Sequence, residues 1–148
     1  MDLLQEIMKI SKIKPDLYLG SVKHPRRETI EFKQLDINVI INCCNDFTHN
    51  HNEKYIIENY PIDDGVGASI DMYLDLIADS IHNHLSNQKK IYVHCVHGRS
   101  RSVSILIYYL MKYDNMTFDQ AHTYLISIRP IILPNTNFVD EIKNKFLN

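Results

Sequence analysis

Residues 91–104 read IYVHCVHGRSRSVS and place a cysteine between a predicted strand and a predicted helix. The apolar run before Cys95 predicts a buried strand, and apolar residues return at helical spacing from Arg101 onwards. The six residues from Cys95 to Ser100 therefore turn sharply over a helix N-terminus, where backbone N–H groups point inward and the helix dipole adds partial positive charge. This arrangement predicts a binding site for phosphate.

The side chains of this loop suit an anion that lies next to a nucleophile. Gly98 permits a close backbone approach, and Arg101 offers a planar fork that matches two phosphate oxygens. A cysteine beside an arginine at a helix N-terminus has its pKa lowered from about 8.5 to roughly 3.5–7.5. We therefore predict that the Cys95 thiolate attacks phosphorus and forms a phosphocysteine. Ser102 is placed to donate a hydrogen bond to the leaving sulfur, and His94 is expected to orient the loop.

The whole loop is predicted to contact the phosphate, with its backbone as the main donor. The side chains of His97 and Arg99 are expected to face outward, where they either shape the rim or are solvated. The predicted phosphate-binding residues are Cys95, Val96, His97, Gly98, Arg99, Ser100 and Arg101.

The composition of the 148-residue chain favours one compact domain, because 45% of its residues are hydrophobic. A net charge of −2 offers no general attraction to nucleic acid or to an anionic membrane. The apolar runs are too short for a membrane span, and no signal peptide is recognisable at the N-terminus. Three cysteines do not make a disulfide framework, so we expect a cytoplasmic or nuclear protein.

Strands and helices alternate along the chain and are followed by a run of helices. Strands are predicted at 16–20, 37–44, 54–61 and 89–94. Helices are predicted at 28–36, from the N-cap Ser69 to about Leu85, at 101–113, from the capping box at 117–120 to a point before Pro130, and after the cap Asn135. The fold class is therefore α/β, a sandwich around a mostly parallel sheet of about four to five strands. Residues 1–10 form an amphipathic segment that docks on the domain or on a second copy.

The stretch HCVHGRSRS resembles the signature loop of the cysteine-dependent phosphatases, specifically of the small dual-specificity protein phosphatases. Other stretches also resemble that family: IKPDLYLGS its opening strand, VIINCC its second core strand, YPIDDG its acid loop, and RPIILPNTNF the segment before its last helix. The resemblance implies a protein-tyrosine-phosphatase-like sandwich and one catalytic domain over residues 1–148. It also implies hydrolysis of phosphotyrosine and phosphoserine/threonine in proteins at a shallow site.

Further roles follow from the same resemblance. Asp64 matches the general acid/base better than Asp63, although both suit a plain turn. Asn135 resembles a residue that supports the signature loop, or it is only a helix cap. Cys44 matches a position that forms a disulfide with the nucleophile upon oxidation in some relatives, and Cys43 is read as core.

Several alternatives stay open at this point. Phosphoinositides and RNA 5′-triphosphates are other substrates within the superfamily, and a phosphoprotein-binding pseudophosphatase is the non-enzymatic reading. The expected partners are phosphorylated proteins, with no nucleic acid and no membrane, and the chain is a monomer or a homodimer through its N-terminal helix. No cofactor and no metal are expected, since the HNH stretches at 49–51 and 82–84 read as solvated histidines.

Overall fold

Five short strands form the central sheet of the computed structural model, which describes residues 1–147. They are β1 (Ser11–Lys14), β2 (Leu17–Gly20), β3 (Val39–Asn42), β4 (Ile56–Asn59) and β5 (Ile91–His94). In space the order is β1-β2-β5-β3-β4, and every neighbouring pair is parallel except β1 with β2. All four residues of β3 and of β5 are buried, as expected for parallel strands that are covered on both faces.

Helices cover both faces of this sheet. They are α1 (Leu3–Ile7), α2 (Lys23–Arg27), α3 (Ile30–Gln34), α4 (Asp71–Ser86), α5 (Arg101–Tyr113), α6 (Phe118–Ile128) and α7 (Thr136–Lys145). Side chains such as Ile41 and Val93 join the main core with α4, α5, α6 and α7. Ile40 and Tyr92 point to the opposite face and pack with Phe32 of α3 in a smaller core.

The predicted fold class is confirmed, since the sheet is mostly parallel, has five strands and is flanked by helices. The predicted central helix is also correct, because α5 is buried from Arg101 to Met111. The capping box of Thr117 and Gln120 opens α6 as expected. The predicted domain over residues 1–148 includes Asn148, which lies outside the described residues.

Two short elements were missing from the sequence prediction. β1 is a four-residue edge strand that exists through its pairing with β2, and its sequence SKIK carries no strong strand pattern. α2 has Pro25 within it and no side-chain cap, so local signals did not identify it. The helix predicted at 28–36 is shorter than expected. Glu28 has a left-handed backbone (φ 46°) that ends α2, and Thr29 caps the start of α3.

The predicted N-cap of α4 was also wrong. The N-cap residue is Ile70, whose apolar side chain makes no capping hydrogen bond. Instead, Glu141 from α7 accepts hydrogen bonds from the Ile70 N–H (2.8 Å) and from the Ser69 hydroxyl (2.6 Å). A residue distant in sequence therefore caps this helix.

The N-terminal segment lies on the domain of its own chain. A capping box of Asp2 and Gln5 opens α1, and Ile7 is buried. The Met8 carbonyl lies 2.6 Å from Nε2 of the buried His24. This contact agrees with docking in cis, and a dimer through the same segment stays a prediction. In residues 1–147, no helix combines the length and the hydropathy that crossing a bilayer requires.

Candidate active site

The loop after β5 lies at the edge of the sheet where the parallel strands end. Gly20 of β2 and Asn42 of β3 are both in register with His94, the last residue of β5. The loop from Cys95 to Ser100, which we call the cysteine loop, follows, and α5 begins at Arg101, as the sequence predicted. Gly98 has φ +67°, and a Cβ there would lie 2.7 Å from the Gly20 carbonyl oxygen. Only glycine fits this turn.

Cys95 is 3% exposed, and its Sγ lies 3.1 Å from the Ser102 hydroxyl. Burial by itself raises the pKa of the thiol. Hydrogen bonds from the Ser102 side chain and N–H, the charge of Arg101 and the N–H of Gly98 outweigh burial, so the pKa is lowered. The surroundings of Cys95 therefore favour a thiolate.

The guanidinium of Arg101 is held at one end by two other segments of the chain. Its Nη1 donates to Asp46 Oδ1 (2.5 Å) and to the Ile62 carbonyl (3.0 Å), while a longer contact of 3.3 Å reaches Asn45. The hydrogen bond from Arg101 lowers the pKa of Asp46. Within residues 1–147 the buried Nε has no hydrogen-bond partner, and so it remains free to donate to an anion.

The two candidate acids have different surroundings. Asp63 Oδ1 accepts the N–H groups of Asp64 (2.8 Å) and Gly65 (3.3 Å), which closes a turn. Asp64 Oδ1 instead accepts the Ser100 hydroxyl at 2.9 Å. The geometry thus brings Asp64, and not Asp63, to the cysteine loop.

Asn135 caps α7 and also contacts the cysteine loop. Its Oδ1 accepts the Asn137 N–H and caps α7, while its backbone N–H donates to the Ser100 hydroxyl at 2.9 Å. Its Nδ2 lies 3.4 Å from the carbonyl oxygens of Asp64 and Gly65. The loop before α7 therefore ties the acid loop to the cysteine loop.

A cavity of about 180 Å³ contains six of the seven predicted phosphate-binding residues. It is lined by Asp64, Cys95, Val96, His97, Arg99, Ser100, Arg101 and Leu133. Gly98 lies behind it. The side chain of Ser100 is engaged with Asp64 and Asn135, so its backbone is the part left for phosphate. Arg99 lies at the rim, where its Nε donates to the Ile131 carbonyl at 2.9 Å.

His94 is fully buried and holds the loop through both ring nitrogens. Nδ1 lies 2.7 Å from the Cys95 carbonyl, and Nε2 lies 2.7 Å from Nε2 of His49. A carbonyl only accepts, so Nδ1 carries the proton and Nε2 accepts the N–H of His49. Burial is the main reason why the pKa of His94 is lowered to about 3. The expectation that the HNH histidines are merely solvated was therefore wrong for His49, and also for His84, whose Nε2 lies 2.6 Å from Glu58 Oε2.

Arg129 is a buried residue that the sequence analysis did not single out. It is 2% exposed, yet no carboxylate of residues 1–147 lies within ion-pair distance of it. Its guanidinium donates to the carbonyls of His97 (3.0 Å) and Gly98 (2.8 Å) in the cysteine loop. It also donates to those of Ile7 (3.0 Å) and Lys9 (2.6 Å) in the N-terminal segment. One side chain therefore connects these two parts of the molecule.

Cys43 and Cys44 are buried free thiols at the end of β3. Cys44 Sγ donates to Asn42 Oδ1 at 3.1 Å, and burial raises the pKa of both thiols. The Cys43 N–H donates to the His94 carbonyl, which puts this pair beside Cys95. A disulfide between Cys44 and Cys95 stays a prediction. In the described part of the chain, no group of three or more His, Cys, Asp or Glu side chains is arranged to hold a metal ion.

Comparison with known proteins identifies the family. The family model "Dual specificity phosphatase, catalytic domain" matches residues 17–146. The chain is 30% identical to dual specificity protein phosphatase 1 of Arabidopsis thaliana, over 90% of this chain and 67% of that protein. It is also 30% identical to human dual specificity protein phosphatase 18, with 90% and 70% covered. The Xenopus laevis phosphatase 1-A is 33% identical, and the match spans 35% of its length.

Solved structures agree on the fold. The human tyrosine phosphatase-like serine/threonine/tyrosine-interacting protein superposes with a TM-score of 0.87 at 23% identity, covering 95% of this chain and 97% of that one. The Yvh1 phosphatase domain of Chaetomium thermophilum gives 0.79 at 24% identity, covering 93% and 95%. The family model and the relatives show that the chain belongs to the dual specificity phosphatases, a family of protein tyrosine/serine/threonine phosphatases.

Proposed function

We propose that this phosphatase hydrolyses phosphotyrosine and phosphoserine/threonine in proteins through a phosphocysteine at Cys95. The observation that carries the proposal is the position of Cys95 Sγ. It lies at the floor of a loop of N–H groups, beside Ser102 and Arg101, in surroundings that lower its pKa. A thiolate at this position is a nucleophile at neutral pH without the help of a base.

The first half-reaction forms the sulfur–phosphorus bond. The loop N–H groups and Nε of Arg101 bind the phosphoryl oxygens, and the thiolate attacks phosphorus as the bond to the leaving oxygen breaks. Asp64 gives its proton to that oxygen, so tyrosine, serine or threonine leaves as a neutral hydroxyl. The hydrogen bond between Asp64 and Ser100 supports this role, because it holds the carboxyl at the cavity.

The second half-reaction regenerates the thiolate. Asp64, now ionised, takes a proton from a water molecule as the water oxygen attacks phosphorus and the sulfur–phosphorus bond breaks. The Ser102 hydroxyl, 3.1 Å from Sγ, donates to the departing sulfur. Inorganic phosphate is released, and Asp64 is again protonated for the next turnover.

The small cavity supports a broad choice of phosphorylated residue. At about 180 Å³ it accommodates a phosphoryl group and little more, so the loop contacts the part that all phosphorylated residues share. Phosphoinositides and triphosphate-ended RNA are not favoured by the family, whose relatives here are protein phosphatases. The presence of Cys95, Arg101 and Asp64 argues against a protein that only binds.

The test is turnover of a phosphotyrosine and a phosphothreonine peptide by the wild type, C95S and C43A. We expect the wild type to hydrolyse both and to yield a phosphocysteine at position 95 when it is quenched in acid. C95S should lose turnover while it still binds the peptides, and C43A, which removes another buried thiol, should keep turnover. Residual turnover by C95S, or a phosphate trapped on another residue, would overturn the mechanism.

A further inference from the structure

The helix α2 lies across the carboxyl ends of the parallel strands, the same end of the sheet as the cysteine loop. It follows β2, and the Val22 N–H before it donates to the carbonyl of Val96 in that loop at 3.0 Å. Near its other end, the guanidinium of Arg26 lies 5.7 Å from the ring centroid of Phe47, which follows β3. Because β5 lies between β2 and β3, α2 spans the carboxyl end of β5, from which the cysteine loop starts, while none of its residues lines the cavity itself.

The orientation of α2 is fixed by its buried side. Pro25 is buried, and so is His24, whose ring nitrogens lie 2.7 Å from the Thr29 hydroxyl and 2.6 Å from the Met8 carbonyl. Arg26 and Arg27 are exposed on the other side, and Lys23 is half-buried. The cations therefore sit on a helix whose position is already determined.

These three cations are not neutralised by the protein. Within residues 1–147, no carboxylate lies within 4.0 Å of the charged nitrogens of Lys23, Arg26 or Arg27. Two acids lie nearby, and both have other partners: Asp46 binds Arg101, and Glu28, the C-cap of α2, accepts a hydrogen bond from Tyr55 and lies 3.9 Å from Lys54 Nζ. Because the chain as a whole carries a net charge of −2, this is a local excess of positive charge on the helix that adjoins the cysteine loop through Val22.

We propose that Lys23, Arg26 and Arg27 form a subsite, the α2 subsite, for a second anionic group of the substrate. This inference rests on the proposed phosphoprotein phosphatase function. The group is a phosphorylated or acidic side chain close in sequence to the residue that is hydrolysed. Phosphate and carboxylate both match the arginine fork, and phosphate carries more charge.

The experiment compares phosphotyrosine peptides with phosphothreonine, glutamate or alanine at one flanking position after another, with a small aryl phosphate as reference. Each is assayed with the wild type, with R26Q/R27Q and with K89Q/K90Q. The control variant removes the same charge from lysines that directly precede β5, at the end of the sheet opposite the cysteine loop. We expect the wild type to prefer the doubly anionic peptides by about tenfold in kcat/KM at the favoured position. R26Q/R27Q should lose most of that preference, and K89Q/K90Q should keep it.

The readouts separate this inference from the function on which it rests. R26Q/R27Q should hydrolyse the aryl phosphate and the alanine peptides at rates within about twofold of the wild type. A wild type without any preference for a second anion would overturn the subsite, and so would a preference that survives R26Q/R27Q. A doubly phosphorylated inositol headgroup is assayed alongside the peptides; a preference for it that no doubly anionic peptide shares would overturn the protein source of the second anion. Failure of the wild type on the aryl phosphate would overturn the proposed function itself.

Discussion

The Nε of Arg129 donates a 2.8 Å hydrogen bond to the carbonyl of Gly98, the glycine that makes the turn of the cysteine loop. The same guanidinium binds the carbonyls of Ile7 and Lys9, so the N-terminal segment supplies acceptors for this buried cation. A buried charge without such acceptors is strongly destabilising. Arg129 thus holds the back of the loop, while the N-terminal segment supplies acceptors for the N–H groups that the loop leaves unbound.

Replacing Arg129 by methionine should affect both stability and the nucleophile. Unsatisfied carbonyls should lower the free energy of unfolding by about 2–4 kcal/mol. The loss of a positive charge that interacts with Cys95 should raise the pKa of its thiol. The measurements are urea unfolding and the pH dependence of Cys95 alkylation, with R129K as the conservative variant and K33M as an exposed control. An unchanged alkylation profile in folded R129M would show that Arg129 has only a structural role.

Asp46 should affect catalysis through Arg101, because it accepts a hydrogen bond from Nη1 of that side chain. D46N keeps the size of the side chain but removes its charge. We expect the Arg101 guanidinium to lose its fixed orientation, so kcat/KM for an aryl phosphate should fall by about 10- to 100-fold, mainly through KM. D119N, an exposed carboxylate in the first turn of α6, is the control. A D46N enzyme with wild-type KM would contradict the view that Asp46 positions Arg101.

The acid assignment predicts a dependence on the leaving group. D64N should slow hydrolysis of an alkyl phosphate by about 10²–10⁴-fold, because an alkoxide leaves poorly without a proton. An activated aryl phosphate should be affected far less. D63N should change both rates only slightly, because the Asp63 carboxylate closes a turn. Equal losses for both substrates in D64N would exclude Asp64 as the acid.

How far the sequence could predict this site depended on sequence separation. Cys95, Gly98, Arg101 and Ser102 lie in one contiguous motif, so their chemistry could be derived from their order. The partners that hold them come from distant segments: Asp46 is 55 residues from Arg101, and Arg129 is 122 residues from Ile7. Such pairs depend on the sheet order, which no local pattern contains.

The same limit applies to the elements that were missed. β1 forms by pairing with β2, and Glu141 caps α4 from 71 residues away. The long helices, in contrast, carry their own periodicity and caps, as Thr117 and Gln120 illustrate. Local signals thus predicted α5 and α6, and tertiary contacts decided the short elements.

The hydrogen bond between His49 and His94 predicts a pH-dependent stability. Burial lowers the pKa of both histidines, that of His94 to about 3, so the unfolded chain binds protons below about pH 6.5 that the folded chain does not. Stability should therefore fall as the pH drops from about 6.5 to 5, by up to about 1.4 kcal/mol per pH unit for each histidine that stays neutral. Urea unfolding at a series of pH values measures this slope.

Substitution of His49 separates its titration from its hydrogen bond. H49Q keeps a donor for Nε2 of His94 but does not titrate, so its stability should depend less on pH while kcat stays close to that of the wild type. H49F removes the donor, so the loop carbonyl of Cys95 is held less firmly and kcat should fall. H51Q, at an exposed histidine of the same loop, should match the wild type in both measurements. If the stability of H49Q depended on pH as strongly as that of the wild type, burial would not be keeping His49 neutral in the folded protein. The proposed effect of burial on the pKa of His49 would then be wrong.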